Sequence, residues 1–245
     1  MGASAAETSS LAAEAYAIVK RRVLRGELAL GQVISRRKLA AELGMSFLPV
    51  SEALLRLEFE RLLESRPRAG TRVRIPSPDD VRGHFIVREA LETQAAMLFA
   101  QVATRSERAE LQRLAERVDL LPVEPGTIGQ WNGLHQRLHR RIVECARCPA
   151  LLTAIDQTYA LTSSWFCTTK HPPAAAAPRR HRDLVDVLCT GAPAQAADAV
   201  REHLAWSLQK TMDRLKPYFR LRKTHGHTFY RSEKKRSVEA GSHPD

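Results

Sequence analysis

Between Ile34 and Leu57 the sequence reads ISRRKLAAELGMSFLPVSEALLRL, and this stretch admits few folds other than two short helices joined by a tight turn. Ser35 is a good N-cap, Leu39, Ala40 and Leu43 form an apolar stripe, and Gly44 can take the left-handed conformation that ends a helix. The second helix opens at Ser46. It tolerates Pro49 in its first turn and repeats apolar residues at Val50, Ala53, Leu54 and Leu57. This is a helix-turn-helix pattern, whose second helix is shaped to enter a major groove. Arg36, Arg37 and Lys38 crowd the first turn of the first helix. There they oppose the helix dipole at a cost of roughly 0.3–1 kcal/mol each when exposed. Three together point to an anion close by, for which DNA phosphate is the natural candidate. The plain alternative is a solvated, charged face on an ordinary helical hairpin.

Upstream, Leu11, Ala15, Ile18 and Val19 mark a helix reaching Leu24, and residues 1–9 are expected to be disordered. Downstream, LLESRPRAGTRVRI alternates as a β-hairpin turning at PRAG, with Arg66, Arg68, Arg72 and Arg74 along it. Beside a helix-turn-helix such a hairpin is a wing. Ser77-Pro78-Asp79-Asp80 then reads as an N-cap, a proline at the first helical position and two acids in the first turn. Six amphipathic segments follow with no further strand pattern, interrupted by the Pro/Ala loop KHPPAAAAP, which is expected to be mobile. The fold class is therefore mainly α: an N-terminal winged helix-turn-helix over residues 10–76, then an all-helical bundle effector domain over 77–216. Residues 217–245 form a basic tail, expected to be disordered.

Charge supports a nucleic-acid partner: 38 Lys and Arg stand against 27 Asp and Glu, a formal +11. Aromatic residues are only 6%, too sparse for a single-strand stacking platform. Four cysteines and no apolar run of about 18 residues fit a reducing, cytoplasmic setting with no membrane partner. In the helical half, His135 and His139 are four apart and share a helix face, while His181 and His203 sit on two later helices. Imidazole is the commonest ligand for borderline divalent metals, so the four make a candidate metal set, although buried histidines are usually satisfied by packing. HQRLH has zinc-protease spacing, but Gln136 occupies the position of the general base, so no enzyme is expected. Cys145 and Cys148 form a lone CxxC and are read as structural.

The chain resembles the GntR-type bacterial transcription regulators of the FadR-like branch with an FCD ligand-binding domain. The matching pieces are LRGELALGQVIS, RRKLAAELGMS, PVSEALLRLE and RPRAGTRV, then VREALE, LHRRIVECARCPAL, HRDLVDVL and AVREHL. The resemblance implies a homodimer on a palindromic double-stranded DNA operator and a helical domain that binds a small carboxylate effector. On the DNA side it places Arg37 on a family arginine and Gly70 on the wing glycine. Arg36, Lys38, Ser46 and Arg68 complete the expected contact set. Phe47 and Ser51 stand where the family carries arginines; Phe47 can meet a thymine methyl and Ser51 can donate to a base or phosphate. Arg61 replaces a customary glycine. In the helical half, His139, His181 and His203 fall on family metal ligands and His135 on the usual Asp or Asn. An all-imidazole set suits zinc or nickel better than magnesium or calcium. Arg88 matches an effector-pocket arginine, although a surface pair with Glu92 is the simpler alternative. The reading is a transcription regulator, expected to be a repressor. The contrasting one is a metal- or metabolite-binding helical protein whose DNA binding is weak or lost.

Overall fold

The computed structural model describes residues 5–67, 70–122, 124, 126–167 and 180–239. Arg68, the whole of the Pro/Ala loop and the last six residues lie outside this set, as do residues 1–4. The N-terminal half contains α1 (Ala5–Leu24), β1 (Val33–Ile34), α2 (Arg36–Leu43), α3 (Phe47–Phe59), β2 (Leu63–Arg66) and β3 (Gly70–Val73). The helical half contains α4 (Pro78–Val102), α5 (Arg105–Leu120), α6 (Ile128–Cys145), α7 (Pro149–Cys167), α8 (Arg180–Thr190) and α9 (Pro193–Glu239).

Local chemistry sets the ends of these elements. The Ser35 side chain accepts from the Lys38 N–H, and Gly44 closes α2 at φ 64° with its N–H directed to Ala40 and Ala41 carbonyls. Ser77 and Asp80 form a reciprocal capping box at the start of α4, with Pro78 at the first turn. Thr104 and Glu107 repeat that device on α5. Val50, Ala53, Leu54 and Leu57 of α3 are all buried, as are Ala15, Val19 and Val23 of α1, which packs across α3. The wing is the antiparallel pair β2–β3, registered Leu63 opposite Val73 and Arg66 opposite Gly70. β3 also pairs with β1, giving the sheet order β1-β3-β2. That two-residue edge strand carries no alternation of its own, and only the partner strand reveals it.

Arg61 adopts φ 59°, the left-handed region, immediately after α3. A side chain with a Cβ is strained there, so Arg61→Gly should stabilise the protein by about 1 kcal/mol in urea unfolding. An unchanged or lower midpoint would mean that contacts of the arginine outweigh the backbone strain.

Pro217 does not end the last helix: α9 continues through it to Glu239. An internal proline costs about 3 kcal/mol. Leu215 is fully buried, and Met212, Tyr218 and Phe219 pack against the core on either side of Pro217, which offsets that cost. One apolar cluster spans both halves, from Ala15 and Val19 of α1 through Leu54 and Phe99 to Leu215 of α9, and a smaller one of Ala95, Val143, Ala146, Leu151 and Ile155 lies in the helical half.

The segment between the halves is held by one carboxylate. Asp80 accepts from the Ser77 N–H and hydroxyl, from Arg74 at 2.8 Å and from Arg222 of α9 at 3.2 Å. Burial opposes its ionisation, but the Ser77 and Arg74 donors prevail and hold its pKa well below the usual carboxylate range. Arg222 also donates to the Ile75 carbonyl. The wing, the connecting segment and the last helix thus meet at a single side chain.

Candidate DNA interface and metal centre

The residues expected at DNA divide into two groups. Arg37, Lys38, Ser46 and Phe47 are exposed at the adjoining N-terminal turns of α2 and α3. Ser46 makes no side-chain capping bond. Phe47 and Leu48 are 53% and 59% exposed, an apolar pair at the tip of the helix shaped for a groove. Gly70 opens β3 at φ 76°, the turn conformation that the wing requires. Arg36, by contrast, is turned inward. It donates to Thr71 Oγ1 at 3.1 Å and lies 3.7 Å from Glu58, so it ties α2 and α3 to the wing. The Ser51 hydroxyl is covered and has no hydrogen-bond partner, so in this rotamer it does not present itself to a base. Among the wing arginines, Arg72 pairs with Glu64 at 2.7 Å and Arg74 with Asp80, and both serve the fold. Arg68 lies outside the described residues.

In the helical half, α6, α8 and α9 bring His135, His139, His181 and His203 together. Their candidate ligand atoms all lie within 4.8 Å of one another. Helical spacing stacks His135 above His139, with their Nε2 atoms 3.1 Å apart. The Trp131 ring lies nearly parallel to His135 at 4.7 Å and limits its rotation. His139, His181 and His203 are buried.

Two carboxylates orient this set, and the sequence marks neither as a partner of the histidines. Asp119 of α5 accepts from His181 Nδ1 at 2.6 Å and from the backbone N–H groups of His181 and Arg182. It caps the start of α8 and leaves His181 Nε2 free to act as a ligand. Glu92 of α4 stands 3.4 Å from His139 Nδ1 and accepts from Arg88 Nε at 2.7 Å. Arg88 is paired with Glu92, as the simpler alternative held, but the pair is interior: Arg88 is 3% and Glu92 5% exposed. The guanidinium lies over the Phe85 and Tyr159 rings. The one trace available in sequence was the i, i+4 spacing of Arg88 and Glu92; Asp119 left none.

The electrostatics favour neutral imidazole. Burial, then the neighbouring imidazoles, pushes His135 and His203 well below the ordinary 6.5. Burial also lowers His181, against the opposing pull of Asp119. Burial works against ionising Glu92, but Arg88 and His139 outweigh it and bring its pKa down to about 2. His203 Nδ1 is buried without a hydrogen-bond partner, a cost that a bound ion or ligand would relieve. Converging neutral donors, backed by carboxylates through their outer nitrogens, fit a borderline divalent metal. Cys145, Cys148 and Cys189 are free thiols. Among the described residues no helix is long and apolar enough to cross a membrane.

Comparison with known proteins agrees with this architecture. Residues 11–73 match the model for bacterial regulatory proteins of the gntR family, and residues 85–205 match the FCD domain. A protein of Paenarthrobacter nicotinovorans described as "Probable D-xylose utilization operon transcriptional repressor" is 29% identical over 204 residues, 83% of this chain and 89% of that one. The HTH-type transcriptional repressor RspR of Escherichia coli is 24% identical over 141 residues, 58% of this chain and 61% of its own. Among solved structures, a GntR regulator from Rhodococcus sp. RHA1 superposes with a TM-score of 0.69 at 18% identity, covering 83% of this chain and 98% of that one. E. coli McbR gives 0.63 at 25% identity, covering 85% and 98%.

Proposed function

Since the chain belongs to the GntR family of DNA-binding transcription regulators and carries an FCD domain, we propose that it is a homodimeric repressor whose operator affinity is set by a small carboxylate bound at a zinc or nickel centre. The observation that carries this reading is the convergence of four imidazoles on one point, two of them backed by carboxylates, the buried Glu92 and the partly buried Asp119. His135, His139, His181 and His203 would hold the ion. It would supply a Lewis-acidic point for one end of an anionic effector, and all-neutral donors would leave its positive charge undiminished. Arg88 contributes through Glu92, which it orients and balances.

On the DNA side, Arg37, Lys38 and Ser46 would meet phosphates, while Phe47 would lie against the base edges, where a thymine methyl is its natural contact. Two copies would read half-sites about one helical turn or less apart. The covered Ser51 hydroxyl favours a sequence preference built on apolar and phosphate contacts.

Titrating a labelled duplex from the promoter beside its own gene, with and without a panel of organic acids, tests the whole proposal. A carboxylate that shifts operator affinity only when zinc or nickel is bound supports it; indifference to every acid removes the effector claim. Light scattering checks the dimer. Arg37→Ala should weaken operator binding and flatten the salt dependence by a slope of about 0.9, the share of one phosphate contact. An unchanged slope would disprove the docking of α2 against the backbone.

A further inference from the structure

The helix that carries His203 runs on past Arg222 to Glu239, and its last third is strongly basic. Residues 220–236 contain seven Lys and Arg (Arg220, Arg222, Lys223, Arg231, Lys234, Lys235 and Arg236) against one acid, Glu233. More than half of the formal +11 of the whole protein therefore sits in one short segment. Its direction is fixed by where α9 meets the N-terminal half. Leu221 and Arg222 face Leu30, Gly31, Glu64, Arg66 and Ile75 across a cavity of about 130 Å³. Arg222 is anchored there to Asp80 and to the Ile75 carbonyl. β2 runs from Leu63 to Arg66 toward the hairpin turn, so α9 reaches the flank of the wing as it leaves the core. From Lys223 to Glu239 the backbone remains helical for about 25 Å more, at 1.5 Å per residue.

We propose that this extension of α9 is a second DNA-backbone contact, distinct from the α2–α3 reader, which grips phosphates of the duplex beside the wing. A stretch of high positive charge starting at the wing's flank matches the dense, regular negative charge of duplex DNA. Its composition disfavours an anionic membrane, because from Lys223 to Glu239 the large apolar and aromatic residues are only Phe229, Tyr230 and Val238, too few for an inserting face. The contact reads no sequence. It raises affinity for every site alike and widens the footprint on one side of each half-site. Arg222, held by Asp80, is a positioning residue that sets the angle at which the extension leaves the wing.

The inference rests on the DNA-binding reading, and its test separates the two. The full chain is compared with a variant in which Arg231, Lys234, Lys235 and Arg236 are all changed to Gln, which removes charge and keeps helix propensity. Both are titrated from 50 to 300 mM salt against the promoter duplex and against an unrelated duplex of equal length. The proposal expects affinity at 100 mM salt to fall at least tenfold on both duplexes, with their ratio unchanged. It expects the salt slope to flatten by about 2–4, up to about 0.9 for each phosphate lost. It also expects the hydroxyl-radical footprint to lose protection at its flanks. Equal slopes and footprints for the two proteins overturn it while leaving the α2–α3 reader standing. So does a variant that keeps duplex binding but loses binding to vesicles of anionic phospholipid. If the variant loses the promoter preference itself, the extension belongs to the base-reading surface, and the proposal of a separate contact is again overturned. Failure of the full chain to bind either duplex would instead strike the DNA-binding reading.

Discussion

Glu92→Ala should be the most damaging single substitution in the helical half, with a loss of about 3–5 kcal/mol and a fall in Tm on the order of 10 °C. The reason is the partner left behind. Arg88 is 3% exposed and its Nε bonds to Glu92 at 2.7 Å, so removing the carboxylate strands a guanidinium where water cannot reach it. Replacing both members, Arg88→Met with Glu92→Leu, should recover most of the loss, because two apolar side chains need no compensation there. Urea unfolding of the two variants beside the wild type decides the matter. If the double variant is as unstable as Glu92→Ala, packing rather than the stranded charge sets the cost. Glu92 also positions His139, so Glu92→Ala should weaken metal binding by about 10–100-fold, a loss that the double variant shares. Stability and metal affinity should therefore separate across the pair. The ion pair has an acid limit too. With the Glu92 pKa at about 2, below its ordinary 4.5, its contribution is complete above 4.5 and is lost as the pH falls toward 2.

The second large effect concerns the imidazole cluster. His139→Ala should abolish stoichiometric metal in elemental analysis and remove the stabilisation that metal confers. That stabilisation amounts to about 4 kcal/mol when free metal exceeds its Kd a thousandfold. A chelator should lower the Tm of the wild type and leave His139→Ala unmoved. His135→Asp should keep a metal and shift its preference toward harder ions. Acid should act in the same sense as the chelator. His135, His181 and His203 titrate lower in the folded chain than the ordinary 6.5, so below that pH the unfolded chain takes up protons that the folded one refuses. Stability is full above about pH 6.5 and declines as the pH falls from there, and metal, which needs the neutral rings, leaves over the same range. Substoichiometric metal in wild-type protein, grown with zinc and nickel and purified without chelator, would reduce the four histidines to packing and hydrogen bonding.

What could be read in the sequence was whatever a few neighbouring residues decide. Ser35 and Gly44 bound α2 and Ser77-Pro78 opens α4, each through a backbone requirement satisfied within one turn. The i, i+4 pair His135 and His139 was legible for the same reason, and His181 and His203 were marked by the family resemblance. The rest depended on what folding brings together. β1 exists because β3 pairs with it. Arg36 looked like one of three equivalent cations until Thr71, 35 residues on, claimed it. Asp119 is one acid among many on α5, and only the docking of α8 makes it the partner of His181. Pro217 read as the end of a helix because its cost is local, whereas the burial of Leu215 that offsets it is not.

The apolar cluster that runs unbroken from α1 to α9 gives the sensor and the reader one shared thermodynamic fate. In a chain whose halves met only through a tether, heat would melt them in two steps, and a ligand of one would leave the other untouched. Here a calorimetric scan should trace one transition. Amides of α3 should exchange more slowly when the histidine cluster is loaded, although α3 holds none of its ligands. Occupancy in one half then governs how often the other half opens, with no separate signalling part between them.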